Sequence, residues 1–407
     1  MSSAVNFTKR RWRVLLLYGI INLCVGGLYA WSVFAIPLQQ RLGVESLSLV
    51  YTLSTSIGFV PMIIGGTLQQ KVGTKRLLLV SGVMFGVGMI LSGIVGNQIA
   101  LMITYGLLCG LGAGLAYGCT VGNAVKLFPD KRGLAGGISA ATYGGSAIIL
   151  PPIATVLIEK LQVTWAFRVL GIVFLVVICI CALLVEECPA NFVPDGWTPP
   201  TGQKNLTESK SPKQMVTTPV FYIMLLLLLC GAVSGSMMIS QASPMAQNLA
   251  QMPVAMASMM VSILSLFNVL GRVISGMLSD KIGRINTLTI ILVCSLIGLV
   301  LLSTSSAGAF LHFGAGLSIV GFGFGTFLGV FPGFTADQFG PKHQSINYGI
   351  MFIGFALAGL IGPNVASAVF VSSGTYSLAF YVGMALCVVG ILLSVLFRVM
   401  TRVRKSK

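Results

Sequence analysis

Apolar runs of about 20 residues, separated by short polar or glycine-bearing breaks, follow one another along the chain. Twelve such runs are read, at residues 14–35, 47–68, 77–96, 99–122, 134–158, 167–185, 220–240, 254–278, 288–305, 309–332, 348–371 and 378–397. None alternates polar and apolar positions as a barrel strand does, so each predicts a membrane-spanning helix whose backbone groups bond within the segment. Composition agrees: 56% of the 407 residues are hydrophobic and 8% charged, with a mean hydropathy of +0.94. The expected fold class is an all-α membrane protein.

The longest polar break, 186–219, carries Pro, Gly, Lys, Ser and Thr with few apolar residues. It predicts a cytoplasmic linker between two bundles of six helices, 1–185 and 220–407. The halves also repeat. Gly66-Thr-Leu-Gln-Gln-Lys71-Val-Gly73 corresponds to Gly276-Met-Leu-Ser-Asp280-Lys281-Ile-Gly283 at an offset of 210. Gly110, Gly114 and Gly118 recur as Gly321, Gly325 and Gly329 at an offset of 211, as do Phe128, Lys131 and Pro152 in Phe339, Lys342 and Pro363. A six-plus-six duplication predicts pseudo-symmetric bundles with a binding site near the midplane, the plan of a transporter. Glycine at every fourth position from Gly106 to Gly118 offers a bare groove against which another helix packs.

The net charge of +16 would fit nucleic acid were the cations clustered for it. Instead, 21 of the 25 Lys and Arg fall in segments that share a side with the N-terminus, against Arg41, Lys160 and Arg168 on the other side and Arg272 inside a span. This asymmetry predicts both termini in the cytoplasm and an inner-membrane location. The basic segment before residue 14 lacks a small-residue cleavage site after its apolar run, so a retained first helix is expected. Seven cysteines lie within spans away from His or acids and read as packing residues; the sequons at Asn6 and Asn205 fall on the cytoplasmic side.

Arg272 is the single charge in the run 254–278. A guanidinium at bilayer depth costs about 3 kcal/mol or more, so one is kept for a use, and an anion site is the first reading. Snorkelling to the interface is the alternative, which the midspan position disfavours. Pairing with an acid is another, yet all nine acids lie at span ends or in loops (Glu45, Asp130, Glu159, Glu186, Glu187, Asp195, Glu208, Asp280, Asp337). Asn268, one helical turn before, places an amide on the same face. Its counterpart in the first half is Gly58, and that of Arg272 is Met62, so the charge belongs to one half only.

The segment Gly276 to Arg284 resembles the loop motif of the major facilitator superfamily. Gly27-Leu-Tyr29-Ala-Trp31-Ser-Val-Phe34, Leu127-Phe-Pro-Asp130-Lys131-Arg132-Gly-Leu-Ala-Gly-Gly137 and Asn347-Tyr348-Gly349 resemble its oxalate/formate antiporter family and the related monocarboxylate transporters, bacterial lactate and pyruvate carriers among them. The resemblance implies substrate-facing aromatics at Tyr29, Tyr117 and Tyr143, for each of which packing is the other reading. It also implies a gate at the cytoplasmic mouth from Asp280, Lys281, Arg284, Lys131 and Arg132, with topogenic charge as the alternative for Lys281 and Arg284. Oxalate exchangers of the family carry a lysine where this chain has Phe355. One buried cation facing a ring suits a monocarboxylate, because a dianion would leave one carboxylate unpaired. Phe352 and Phe355 would then contact the acid's tail. Animal monocarboxylate transporters carry an aspartate where Asn268 stands, and an amide does not titrate. A coupled proton would ride on the substrate, on a tyrosine or on His312.

An enzyme would need a nucleophile, metal ligands or paired acids within mutual reach, and the two histidines fall on opposite sides of the membrane. A sensor would need an added signalling domain. The expectation is therefore a carrier of a small organic anion such as lactate or pyruvate, coupled to a proton and in contact with membrane lipid, with no cofactor or metal and no nucleic-acid partner. Oxalate/formate-type exchange or a carboxylate sensor stand as the alternatives.

Overall fold

The computed structural model describes residues 2–44, 47–189, 192–198 and 209–405. Glu45, Lys204, the Asn205–Thr207 sequon, Glu208 and Lys407 lie outside the described residues, as do the side chains of Asn6, Gln70, Arg402, Arg404 and Lys405. Among the described residues there is no β-strand, and eleven helical segments are long and apolar enough to cross a membrane. One of them, Arg132–Leu184, has 53 residues and leaves helical geometry at Gln162 (φ 67°, ψ 161°). At about 1.5 Å per residue it is more than twice the thickness of a bilayer core, so it supplies two passes, corresponding to the fifth and sixth apolar runs. The protein is an integral membrane protein with the twelve passes that the hydropathy pattern predicts.

Chain order gives α1 (Ser2–Val25), a 3-10 turn (Gly26–Ala30), α2 (Trp31–Leu42), α3 (Ser48–Ser56), α4 (Phe59–Val72), α5 (Thr74–Ser92), α6 (Gln98–Leu101), a π-helical stretch (Met102–Cys109), α7 (Gly110–Leu127) and α8 (Arg132–Leu184). After the connector come α9 (Pro212–Val216), α10 (Pro219–Ser240), α11 (Ala242–Asn248), α12 (Val254–Ile282), α13 (Arg284–Ser303), α14 (Phe310–Phe339), α15 (Gln344–Ser373) and α16 (Ser377–Lys405). Helices outrun their apolar runs where polar residues continue the turn. Those ends lie outside the hydrocarbon, so periodicity within the apolar stretch carries no mark of them. The first run contains the 3-10 turn, and the second is broken between α3 and α4, neither of which hydropathy shows.

The chain divides into two compact units. The first comprises residues 1–135, 139–209 and 336–350; the second comprises 136–138, 210–335 and 351–407. The first therefore extends beyond residue 185, and its flanking connector residues are anchored. Arg10 pairs with Glu186 at 3.0 Å, Phe7 meets the Phe192 ring at 5.1 Å, and the Thr74 N–H donates to Glu187 at 2.8 Å. The last contact puts a carboxylate on the N-terminus of α5, where the helix dipole favours it.

The duplication is visible in contacts within each unit. In the first, Gly110 packs on Ser54 and Ile57, Gly114 on the Gly58 backbone and Gly118 on Met62. In the second, Gly321 packs on Leu264, Gly325 on the Asn268 carbonyl and Gly329 on Arg272. The glycine groove read from the sequence is the surface along which α7 receives α3 and α4, and along which α14 receives α12. The repeated loop motif ends α4 at Gly73 (φ 87°) and α12 at Gly283 (φ 90°), a left-handed geometry that glycine adopts without a Cβ penalty.

Candidate functional site

In the second unit the Arg272 side chain is 3% exposed, and its Nε donates to Asn268 Oδ1 at 3.0 Å. Both residues sit on α12, one turn apart, as the spacing predicts. What holds them in place is backbone packing. A Cβ on Gly329 would lie inside van der Waals contact of the Arg272 backbone, and one on Gly325 would meet the Asn268 carbonyl. Gly137 of α8, one of three α8 residues that belong to this unit, approaches the same Arg272 carbonyl. One turn further, Ser275 and Thr326 share a hydrogen bond of 2.7 Å between buried hydroxyls, which fixes the register of α12 against α14.

Phe355 packs at 5.0 Å from Phe352 and at 5.4 Å from Phe324, so three rings cluster on α14 and α15. Phe324, which the sequence reading did not single out, immediately precedes Gly325 and so lies next to the contact that positions Asn268. Its signal was present as the residue flanking a repeated glycine.

The three tyrosines come together in the first unit. Tyr143 of α8 is 5.5 Å from Tyr29, edge to face, and 4.7 Å from Tyr117. Tyr29 lies on the 3-10 turn, where Gly26 lets the chain pass against the Tyr143 carbonyl and Ser146. Beneath the trio, Asn22 donates to the Ser139 carbonyl at 3.1 Å and accepts from Thr120 at 2.7 Å. All three of these residues are fully buried, so a satisfied polar knot ties α1, α7 and α8 together next to the ring cluster.

The charged residues assigned to a gate divide into three arrangements. Asp280 and Arg284 pair at 2.7 Å, and Arg284 also donates to Ser279 at 2.6 Å, closing the end of α12 locally. Arg132, in the first turn of α8, pairs with Asp337 of α14 at 2.7 Å within the first unit. Lys131 places its ammonium 5.8 Å from the Trp12 ring, and Lys281 is exposed. At the position of the first copy equivalent to Ser279, Gln69 donates to Thr74 and accepts from Ser345 at 2.8 Å. A neutral network thus occupies the place of the second copy's ion pair. The sequence reading also missed Arg11, whose two terminal nitrogens donate to Asp130 at 2.6 and 2.8 Å over the Phe128 ring. Its partner lies 119 residues away, beyond the reach of helical spacing. His312 faces Thr304 at 3.0 Å, which joins α14 to the end of α13.

Comparison with known proteins places this architecture. The chain matches the Major Facilitator Superfamily over residues 15–363 and 254–407. It is similar to the transporter YhjX of Escherichia coli (30% identity; 87% of each chain) and to the oxalate:formate antiporter of Oxalobacter formigenes (28%; 89% of this chain and 86% of the relative). It is also similar to monocarboxylate transporter 12-B of Danio rerio (22%; 91% and 83%). Among solved structures, the transporter FucP in its outward conformation shares the fold, with a TM-score of 0.74 at 13% identity over 95% of this chain and 98% of that one. The twelve passes, the duplicated glycine contacts and these likenesses agree: the chain is not an enzyme but a transporter, and it belongs to the major facilitator superfamily.

Proposed function

We propose that the protein is a secondary active transporter of small monocarboxylates such as lactate or pyruvate, coupled to protons, with Arg272 as the anion-binding group. The observation that carries this reading is the buried Arg272 guanidinium, held by Asn268 at 3.0 Å within a membrane-spanning helix. A guanidinium offers the planar donor fork that matches a carboxylate. Because Oδ1 of Asn268 accepts from Arg272, Nδ2 is the amide group left to donate to an anion. The names of the oxalate:formate antiporter and of monocarboxylate transporter 12-B support an organic anion as cargo. The lysine and arginine asymmetry supports cytoplasmic termini in an inner membrane. Tyr29, Tyr117 and Tyr143 are proposed as substrate-facing residues on the strength of the family resemblance and of their clustering.

The Phe324–Phe352–Phe355 cluster favours an acid with one carboxylate and a short apolar tail. Exchange of oxalate-type anions is the second reading, favoured by the 28% identical relative and opposed by the ring at Phe355. Phe355→Lys is expected to shift preference from lactate toward oxalate by about tenfold or more, since a second cation would pair the otherwise stranded carboxylate. Competition of labelled lactate uptake by each acid measures the shift, and unchanged selectivity would remove the ring from the argument.

The deciding experiment is uptake of a panel of radiolabelled acids into proteoliposomes. An inward proton gradient is expected to stimulate lactate accumulation, and a protonophore to abolish the stimulation. Uptake indifferent to the gradient but dependent on internal oxalate or formate would replace symport by exchange.

A further inference from the structure

Lys9, Trp12, Arg13 and Leu16 recur at i, i+3, i+4 and i+7, one face of the helix that opens the first membrane pass. All four are exposed, Trp12 by 42% and Leu16 by 64%. On a spanning helix, an exposed leucine of this kind meets acyl chain, and a tryptophan one turn nearer the end marks the headgroup level. Lys9 beyond it and Arg13 beside it therefore stand at the level of the lipid phosphates.

A second element completes the cluster. The bidentate pair of Arg11 with Asp130 fastens α1 to the turn before α8, Phe128 meets the Trp12 ring at 4.7 Å, and Lys131 brings its ammonium to 5.8 Å from that ring. Two neighbouring acids are paired: Asp130 with Arg11, and Glu186 with Arg10 at 3.0 Å. Lys131, from the turn before α8, thus lies beside an interfacial indole whose own helix carries Lys9 and Arg13, and the carboxylates of Asp130 and Glu186 are already paired.

We propose that Lys9, Arg13 and Lys131, gathered around Trp12, bind the phosphate of an anionic glycerophospholipid whose acyl chain runs along Leu16. Each cation near the membrane surface contributes about fivefold to affinity for anionic lipid. The indole supplies the interfacial anchor, and the Arg11–Asp130 clasp holds Lys131 in place. The assignment does not depend on which solute is carried.

Brominated lipids quench nearby tryptophan, and the 407-residue chain carries four tryptophans. Reconstituted in phosphatidylcholine vesicles, the protein is expected to be quenched more by brominated phosphatidylglycerol than by brominated phosphatidylcholine at equal fraction. Trp12→Phe is expected to remove the phosphatidylglycerol-specific part of that signal. The triple variant Lys9→Gln/Arg13→Gln/Lys131→Gln is expected to lose about 100-fold in relative affinity for phosphatidylglycerol, leaving phosphatidylcholine quenching unchanged. If the triple variant does not reconstitute, Lys9→Gln and Arg13→Gln singly are expected to lose about fivefold each. Retained preference in these variants, or in Trp12→Phe, would overturn the site. Relief of the preference by millimolar glycerol phosphate would assign it to a soluble phosphate and overturn the lipid.

Discussion

Arg272→Gln is expected to reduce lactate uptake in proteoliposomes by about 100-fold or more, while the amount of folded protein in the membrane stays that of the wild type. Truncating one partner of a buried, hydrogen-bonded charge pair costs about 2–5 kcal/mol, because the remaining charge is stranded, here the carboxylate of the substrate. The protein itself gains on losing the cation, since the desolvation cost of a guanidinium at bilayer depth disappears. Transport and folding should therefore separate. Arg272→Lys is expected to fall between, because the ammonium keeps the charge but loses the planar fork that matches a carboxylate. Full uptake by Arg272→Gln would remove the residue from the site and the proposed mechanism with it.

Gly329→Leu is expected to fail differently, by losing both thermal stability and transport. A Cβ at this position would come within 2.8 Å of the Arg272 Cα, with its backbone carbonyl nearer still. Helix α12 would have to retreat from α14, at a cost of about 1–3 kcal/mol or more for overpacking, and the guanidinium would move with it. Gly145→Ala is the matched control. No atom lies within 4 Å of a Cβ there, so thermal unfolding and uptake are expected to stay at wild-type values. Gly118→Leu would strike the equivalent contact in the first unit, which holds Met62 and no charge, and should lower stability without a direct effect on anion affinity. Retained uptake by Gly329→Leu at a wild-type Tm would show that the glycine groove does not set the position of Arg272.

How much of this was legible in sequence varies with the range of the interaction. Arg272 and Asn268 were readable because helical spacing alone places them on one face, and the described contact is the expected one-turn pair. The glycine groove was readable as a repeat, and its partners could be inferred from the offset of 210 once Leu264, Asn268 and Arg272 were seen opposite Gly321, Gly325 and Gly329. Arg11–Asp130 and Arg132–Asp337 were not readable, since their partners are 119 and 205 residues distant and a basic residue at a span end already has a sufficient topological reason to exist. The same holds for Asn22, whose hydrogen bonds reach Ser139 and Thr120 across two other helices.

Sequence by itself determined the all-α membrane architecture, because every backbone polar group in hydrocarbon must bond within its own segment and the apolar runs are the length of a bilayer crossing. It also determined the duplication and the solitary midspan guanidinium, both of which are patterns in local chemistry and spacing. Only the tertiary structure decided that three tyrosines from separate elements converge, that Phe324 joins Phe352 and Phe355, that Asp130 pairs with Arg11 and Arg132 with Asp337, and that Lys131 lies beside the Trp12 ring. Those outcomes depend on which faces of distant helices meet, and packing between faces is set by the shapes of many side chains at once.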